Sequence, residues 1–131
     1  MKQLQALVDR EVKGEIQIFY QNALVVCCKK AQRSTSKVNV ELVNGIKEAY
    51  AKYLYRLGNP YAQIKKQRFK DVPFLVDYID SSGVAGISLA SNQYCVAHFS
   101  LHPIATADMN DELIREIKSV YGHYLLEVLD K

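Results

Sequence analysis

The sequence predicts an α+β fold, and three observations carry that prediction. Apolar residues recur at helical spacing through the first half of the chain and again near its C-terminus. Between residues 74 and 101 the pattern changes to short apolar runs rich in strand formers, split by turn residues. Length and composition, 131 residues with 49% hydrophobic and 24% charged, suit one globular domain over residues 1–131 with its own core. The expected architecture is an N-terminal helical hairpin, or a helix plus a β-hairpin, then a three-stranded antiparallel meander and a C-terminal helix packed on the sheet.

The first segment supports two readings. Leu4, Val8, Val12, Ile16, Phe19 and Ala23 recur at helical spacing and predict one long helix to about Ala31. The alternative is a helix to Lys13, a break at Gly14, and a hairpin with strands 16–20 and 24–28 around Gln21-Asn22. The β-branched and aromatic content of 16–28 favours that version. A helix over Val40–Leu57 follows, with Asn39 as its expected N-cap and Val38 and Val43 placed as a hydrophobic staple. Val43, Ile46, Tyr50, Tyr53, Leu54 and Leu57 form its apolar stripe, and Gly58 with Asn59-Pro60 stops it. With a long first helix, the two helices form an antiparallel hairpin across Ser34-Thr35-Ser36.

The strands expected next are Phe74–Ile79, Val84–Ala90 and Tyr94–Leu101, divided by Asp80-Ser81-Ser82-Gly83 and Ser91-Asn92. A last helix is expected from Asp108 to Leu129. Its first turns hold Asp108, Asp111 and Glu112, where negative charge is favoured, and Leu113, Ile117, Val120, Tyr121, Tyr124 and Val128 form its buried stripe. No internal repeat is expected.

Charge is spread unevenly. Residues 16–70 contain eleven Lys or Arg against Glu41 and Glu48, whereas residues 71–131 contain nine acids and three bases. The overall +3 therefore conceals a dipolar chain, suited to a polyanion or to an oppositely charged partner. The longest aliphatic run, Ala23–Cys28, is far too short to span a bilayer, so no membrane partner is expected. MKQLQALVDR contains no secretory h-region, and Cys27 and Cys28 are too close for an ordinary disulfide. A reduced cytoplasmic protein is the expectation.

The most prominent functional segment is Lys52–Lys70, with six positive charges, no acid and interleaved aromatics. Lys52, Arg56, Lys65, Lys66, Arg68 and Lys70 could neutralise phosphates of DNA or RNA while Tyr61 and Phe69 stack on bases. Lys29, Lys30, Arg33 and Lys37 could extend that patch. The acidic C-terminal part could equally face the basic centre of a second copy, and nine tyrosines favour a protein interface.

Cys95-x-x-His98-x-x-x-His102 has metal-like spacing, but on a strand these residues are too spread out to meet one ion, and Cys95 should point away from the histidines. No metal or cofactor is implied. His98 and His102, beside Ser100, could supply a general base oriented by Asp77, but a solvated strand face is the simpler account. Cys28, next to Lys29 and Lys30, would be reactive only if exposed. The sequence thus favours a small non-enzymatic interaction or regulatory module, contacting a protein partner or itself as a homodimer. Nucleic-acid binding is the alternative, and a small-ligand sensor or enzyme using the histidine strand face a second.

Overall fold

Two tight turns decide how the N-terminal half folds. Lys13 and Gly14 both have positive φ (49° and 79°), as do Gln21 and Asn22 (50° and 67°). Two consecutive left-handed residues make the hairpin turn whose twist matches flanking antiparallel strands. In the computed structural model, which describes residues 2–62, 65 and 68–129, these turns join β1 (Leu7–Val12), β2 (Glu15–Tyr20) and β3 (Ala23–Lys29). A single-turn helix, α1 (Lys2–Gln5), precedes them.

The hairpin reading of residues 16–28 is therefore the one the chain adopts. The long helix and the N-terminal helical hairpin are not formed, nor is the alternative's helix to Lys13: only Lys2–Gln5 is helical, and Leu7–Val12 is a strand. The reason is a coincidence of spacing: residues four apart share a face in a helix and also in a strand. Val8 and Val12 do share a face, but on β1 it is an exposed one.

A long helix, α2 (Ser36–Gly58), follows β3. Its cap is Thr35 rather than Asn39: Thr35 Oγ1 accepts a hydrogen bond from Val38 N at 3.3 Å, and Asn39 lies inside the first turn. The C-terminal meander lies close to where the sequence predicts it, as β4 (Leu75–Ile79), β5 (Val84–Leu89) and β6 (Cys95–Ser100). Asp80 Oδ1 accepts from Ser82 N and Val84 N, so a side-chain carboxylate organises the β4–β5 turn. The final helix is α3 (Ala107–Leu129).

The meander is only half of the sheet. All six strands join in the order β1-β2-β3-β6-β5-β4, every pairing antiparallel. The two long helices lie side by side on one face. Between helices and sheet sit Ile16, Ile18, Val26, Cys28, Ile87 and Phe99, together with Leu42, Ile46, Leu113 and Ile117.

This order reveals an internal repeat, contrary to the sequence expectation. Each half is a three-stranded meander followed by a 23-residue helix. The halves meet where β3 pairs with β6, at Val26↔Phe99, Cys27↔His98 and Cys28↔Ala97. Across the helices, positions 71 apart match: Thr35 with Thr106, Asn39 with Asn110, Glu41 with Glu112, Leu42 with Leu113, Ile46 with Ile117, Lys47 with Lys118, Tyr50 with Tyr121, Tyr53 with Tyr124, and Leu54 with Leu125. Leu7-Val8-Asp9 opens β1 as Leu75-Val76-Asp77 opens β4.

The contacts repeat as well as the letters. Lys47 pairs with Asp9, and Lys118 with Asp77. Thr106 caps α3 through Met109 N as Thr35 caps α2. Tyr50 OH donates to Ser100 O at 2.9 Å, and Tyr121 OH donates to Lys29 O at 2.6 Å. Two residues beyond each of these carbonyls, His102 N donates to Tyr53 OH and Ala31 N to Tyr124 OH. Each helix is thus tied to the end of the opposite half's last strand. Leaving a partly buried carbonyl without its donor costs at most about 1–3 kcal/mol. Tyr50→Phe and Tyr121→Phe should therefore each lower unfolding free energy by up to that amount, and by similar values, in urea denaturation.

Candidate functional site

The charge asymmetry of the sequence is partly consumed within the fold: five of the eleven central cations are ion-paired among the described residues, two of them with the acidic C-terminal section. Lys52 Nζ lies 2.8 Å from Glu116 Oε1, and Arg56 pairs with Glu112, so the acidic helix α3 neutralises two of the cations assigned to the candidate nucleic-acid patch. Lys29 pairs with Glu15, Lys30 with Glu11 and Lys47 with Asp9. Arg33 and Lys37 precede or open α2, whereas Lys65, Arg68 and Lys70 follow it. The chain after α2 runs back along α3, where Lys70 lies near Ile114, Arg115 and Lys118, and Val72 lies against Gly122.

What is left of the patch lies between α2 and β4. Lys65, Arg68 and Lys70 are exposed and have no ion pair among the described residues. Tyr61 is 97% exposed. Phe69 is half-buried and lines, with Val72 and Ile114, a cavity of about 330 Å³. Lys66 lies outside the described residues.

The face of the sheet away from the helices carries a cross-strand row through all six strands: Arg10, Gln17, Cys27, His98, Gly86 and Tyr78. Arg10 donates to Gln17 Oε1 and sits 4.9 Å from the Phe19 ring centroid. At the far end the Tyr78 ring lies flat over Gly86, where a Cβ would meet it at 2.2 Å. A side chain at this position would displace the Tyr78 ring.

The histidine constellation does not assemble. Asp77 reaches Lys118 on the helix side of β4, β5 separates β4 from β6, and His98 faces the opposite side of the sheet. His102 lies beyond the strand, and its Nδ1 accepts from Ile104 N. One expectation about Cys95 is overturned. A register shift between Ile87 and Ser88 sets Cys95 opposite Ser88, so the bulge at Val96 restores Cys95 to the same face as His98. Its Sγ lies 3.5 Å from Tyr78 OH. No group of three or more His, Cys, Asp or Glu that could hold a metal ion occurs among the described residues. Nor is any helix among them long and apolar enough to cross a membrane.

Burial decides the chemistry of the paired cysteines. Cys28 is in the core, which pushes its thiol up to about 12 despite the lysines that follow it. Cys27 is pushed up to about 11, first by burial and then by donating to the Glu15 carboxylate. Neither is a poised nucleophile. At pH 8, a disulfide reagent should label partly exposed Cys95 first. Cys27 and Cys28 should react only at the rate of chain opening, and urea should abolish the difference.

Two further features were not legible from motifs. The outer strands β1 and β4 each leave an edge with no neighbouring strand among the described residues. β1 is charged along its centre (Asp9, Arg10, Glu11), whereas β4 exposes Val76, Tyr78 and Ile79 around the single charge of Asp77. The second feature is a groove of about 280 Å³ between the start of α2 and the end of α3, lined by Val38, Glu41, Leu42, Gly45, Val120, His123, Tyr124 and Glu127. Aligning the two halves of the sequence would have drawn attention to its residues.

Comparison with known protein families, characterised proteins and solved structures gives no match for this chain.

Proposed function

We propose that this protein is a non-enzymatic interaction module that self-associates through the β4 edge. The observation that carries this reading is the contrast between the two edges. An unpaired strand is a template for another chain, and natural sheets blunt such edges with charge. β1 is blunted in this way and β4 is not. Antiparallel pairing of β4 with β4 of a second copy is isologous, closes on itself, and makes one continuous sheet across both copies. Centring the pair on Tyr78 sets each Asp77 opposite an Ile79 and avoids opposed carboxylates. Tyr78, with an apolar ring and a polar tip, suits such a junction.

Sedimentation over a concentration series tests this. A dimer that Val76→Lys with Ile79→Lys weakens at least about tenfold, roughly 1.4 kcal/mol, supports the reading. A strict monomer at high concentration, or a dimer indifferent to both changes, overturns it.

A second reading is favoured by the fully exposed Tyr61 beside exposed Lys65, Arg68 and Lys70. With Lys66 these cations provide up to four phosphate contacts for a single-stranded nucleic acid. Lys52 and Arg56 are not counted, because Glu116 and Glu112 hold them. The log–log salt dependence of binding should then have a slope of about −3 to −4, and changing the four cations to Ala should flatten it. Binding that survives the substitutions excludes this segment.

A further inference from the structure

The two ends of the α2–α3 interface are counterparts under the internal repeat, yet they are built differently. At one end Lys52 and Arg56 of α2 reach Glu116 and Glu112 of α3, and the space between them shrinks to a cavity of about 10 Å³. At the other end the counterpart of Glu112 is Glu41, and that of Arg56 is Glu127. Gly45 stands in place of Glu116, and His123 in place of Lys52. One carboxylate is retained while its guanidinium partner has become a second carboxylate, and the groove stays open at about 280 Å³.

We propose that this groove takes an arginine side chain presented by a partner protein, in the place that Arg56 fills at the equivalent end. Three observations converge on that occupant. First, the retained carboxylate has a worked example in the same molecule: its counterpart Glu112 binds a guanidinium reaching across from the facing helix. Second, the groove combines an apolar floor, formed by Val38, Leu42, Val120 and Tyr124, with two carboxylates above it. An aliphatic stem ending in a planar cation matches that profile, and the fork geometry of arginine suits two carboxylates better than a lysine ammonium does. Third, the volume lies at the small end of the range for ligand pockets, a scale that suits an inserted side chain.

The carboxylates are available. His123 Nε2 lies 2.9 Å from one Glu127 oxygen, on the exposed side of the same helix. The other Glu127 oxygen and both oxygens of Glu41 have no side-chain partner among the described residues. At Gly45 the two helices close up, with Val120 packed against the bare α2 backbone, so the open space lies toward Glu41 and Glu127. A Cβ there would lie 2.8 Å from Val120 Cγ1, and no longer side chain reaches across from α2. This inference concerns residues distant in sequence from β4 and stands whether or not the chain self-associates.

The probe is the capped peptide Ala-Ala-Arg-Ala-Ala, titrated into ¹⁵N-labelled full-length protein beside the same peptide carrying citrulline, a neutral isostere. Amide shifts at Gly45, Ser119 and Val120 are expected with the arginine peptide and should fade at high salt. Glu41→Gln with Glu127→Gln should weaken the apparent Kd at least tenfold. Because that pair of changes removes like charges, it should leave the melting temperature unchanged or raise it, which separates lost binding from lost folding. A second variant, Gly45→Glu with Val120→Ala, His123→Lys and Glu127→Arg, rebuilds the closed end of the interface, where Ala49 stands in the place of Val120, and should abolish the shifts while the melting temperature is retained. The inference is overturned if millimolar arginine peptide shifts none of these amides, if citrulline shifts them equally, or if the Glu-to-Gln variant binds as tightly.

Discussion

The structure depends on a short seam between its two halves. Only three residue pairs join β3 to β6, yet that junction converts two three-stranded meanders into one sheet broad enough for both long helices. The seam is reinforced from above. Each helix sends a tyrosine hydroxyl to the backbone carbonyl ending the other half's last strand, and a second tyrosine receives the backbone N–H just beyond. Hydrogen bonds to partly buried backbone groups are costly to lose, so these four ties hold the helix pair in register with the strands. The tyrosine abundance of the sequence is partly explained here. Tyr50, Tyr53, Tyr121 and Tyr124 are structural ties rather than interface residues.

Approximate symmetry makes the departures from it informative. The capping threonines, the Lys–Asp pairs linking each helix to an outer strand and the tyrosine ties are preserved in both halves. Departures fall elsewhere. One edge strand is charged and the other apolar, and one end of the helix interface is closed by ion pairs while the other is not. Elements that hold the fold together occur twice; the apolar edge strand and the open end of the helix interface occur once.

The C-terminal half was legible in the sequence because its turns are marked by residues with a mechanism. Asp80 binds the backbone of its own turn, and Asn92 Oδ1 accepts from Tyr94 N. The first three strands were obscured. Leu4, Val8, Val12 and Ile16 are spaced by four, which cannot separate helix from strand, and the polar centre of β1 resembles a solvated helix face. The left-handed Lys13 and Gln21 carry no residue-type signal for a tight turn. The repeat was hidden because the offset slips, from 71 in the helices to 68 between Leu7 and Leu75, as loop lengths differ. Net charge was read correctly along the chain, but its use was not. Lys52 and Arg56 meet acids more than fifty residues away, a contact that composition cannot reveal.

The seam also shapes how this chain must reach its native state. Within each meander, strands pair with their immediate neighbours across tight turns, so little loop-closure entropy is lost. Val26 and Phe99, by contrast, are far apart along the polypeptide. Distant pairing within the sheet is therefore confined to the seam, while the rest of the sheet pairs locally.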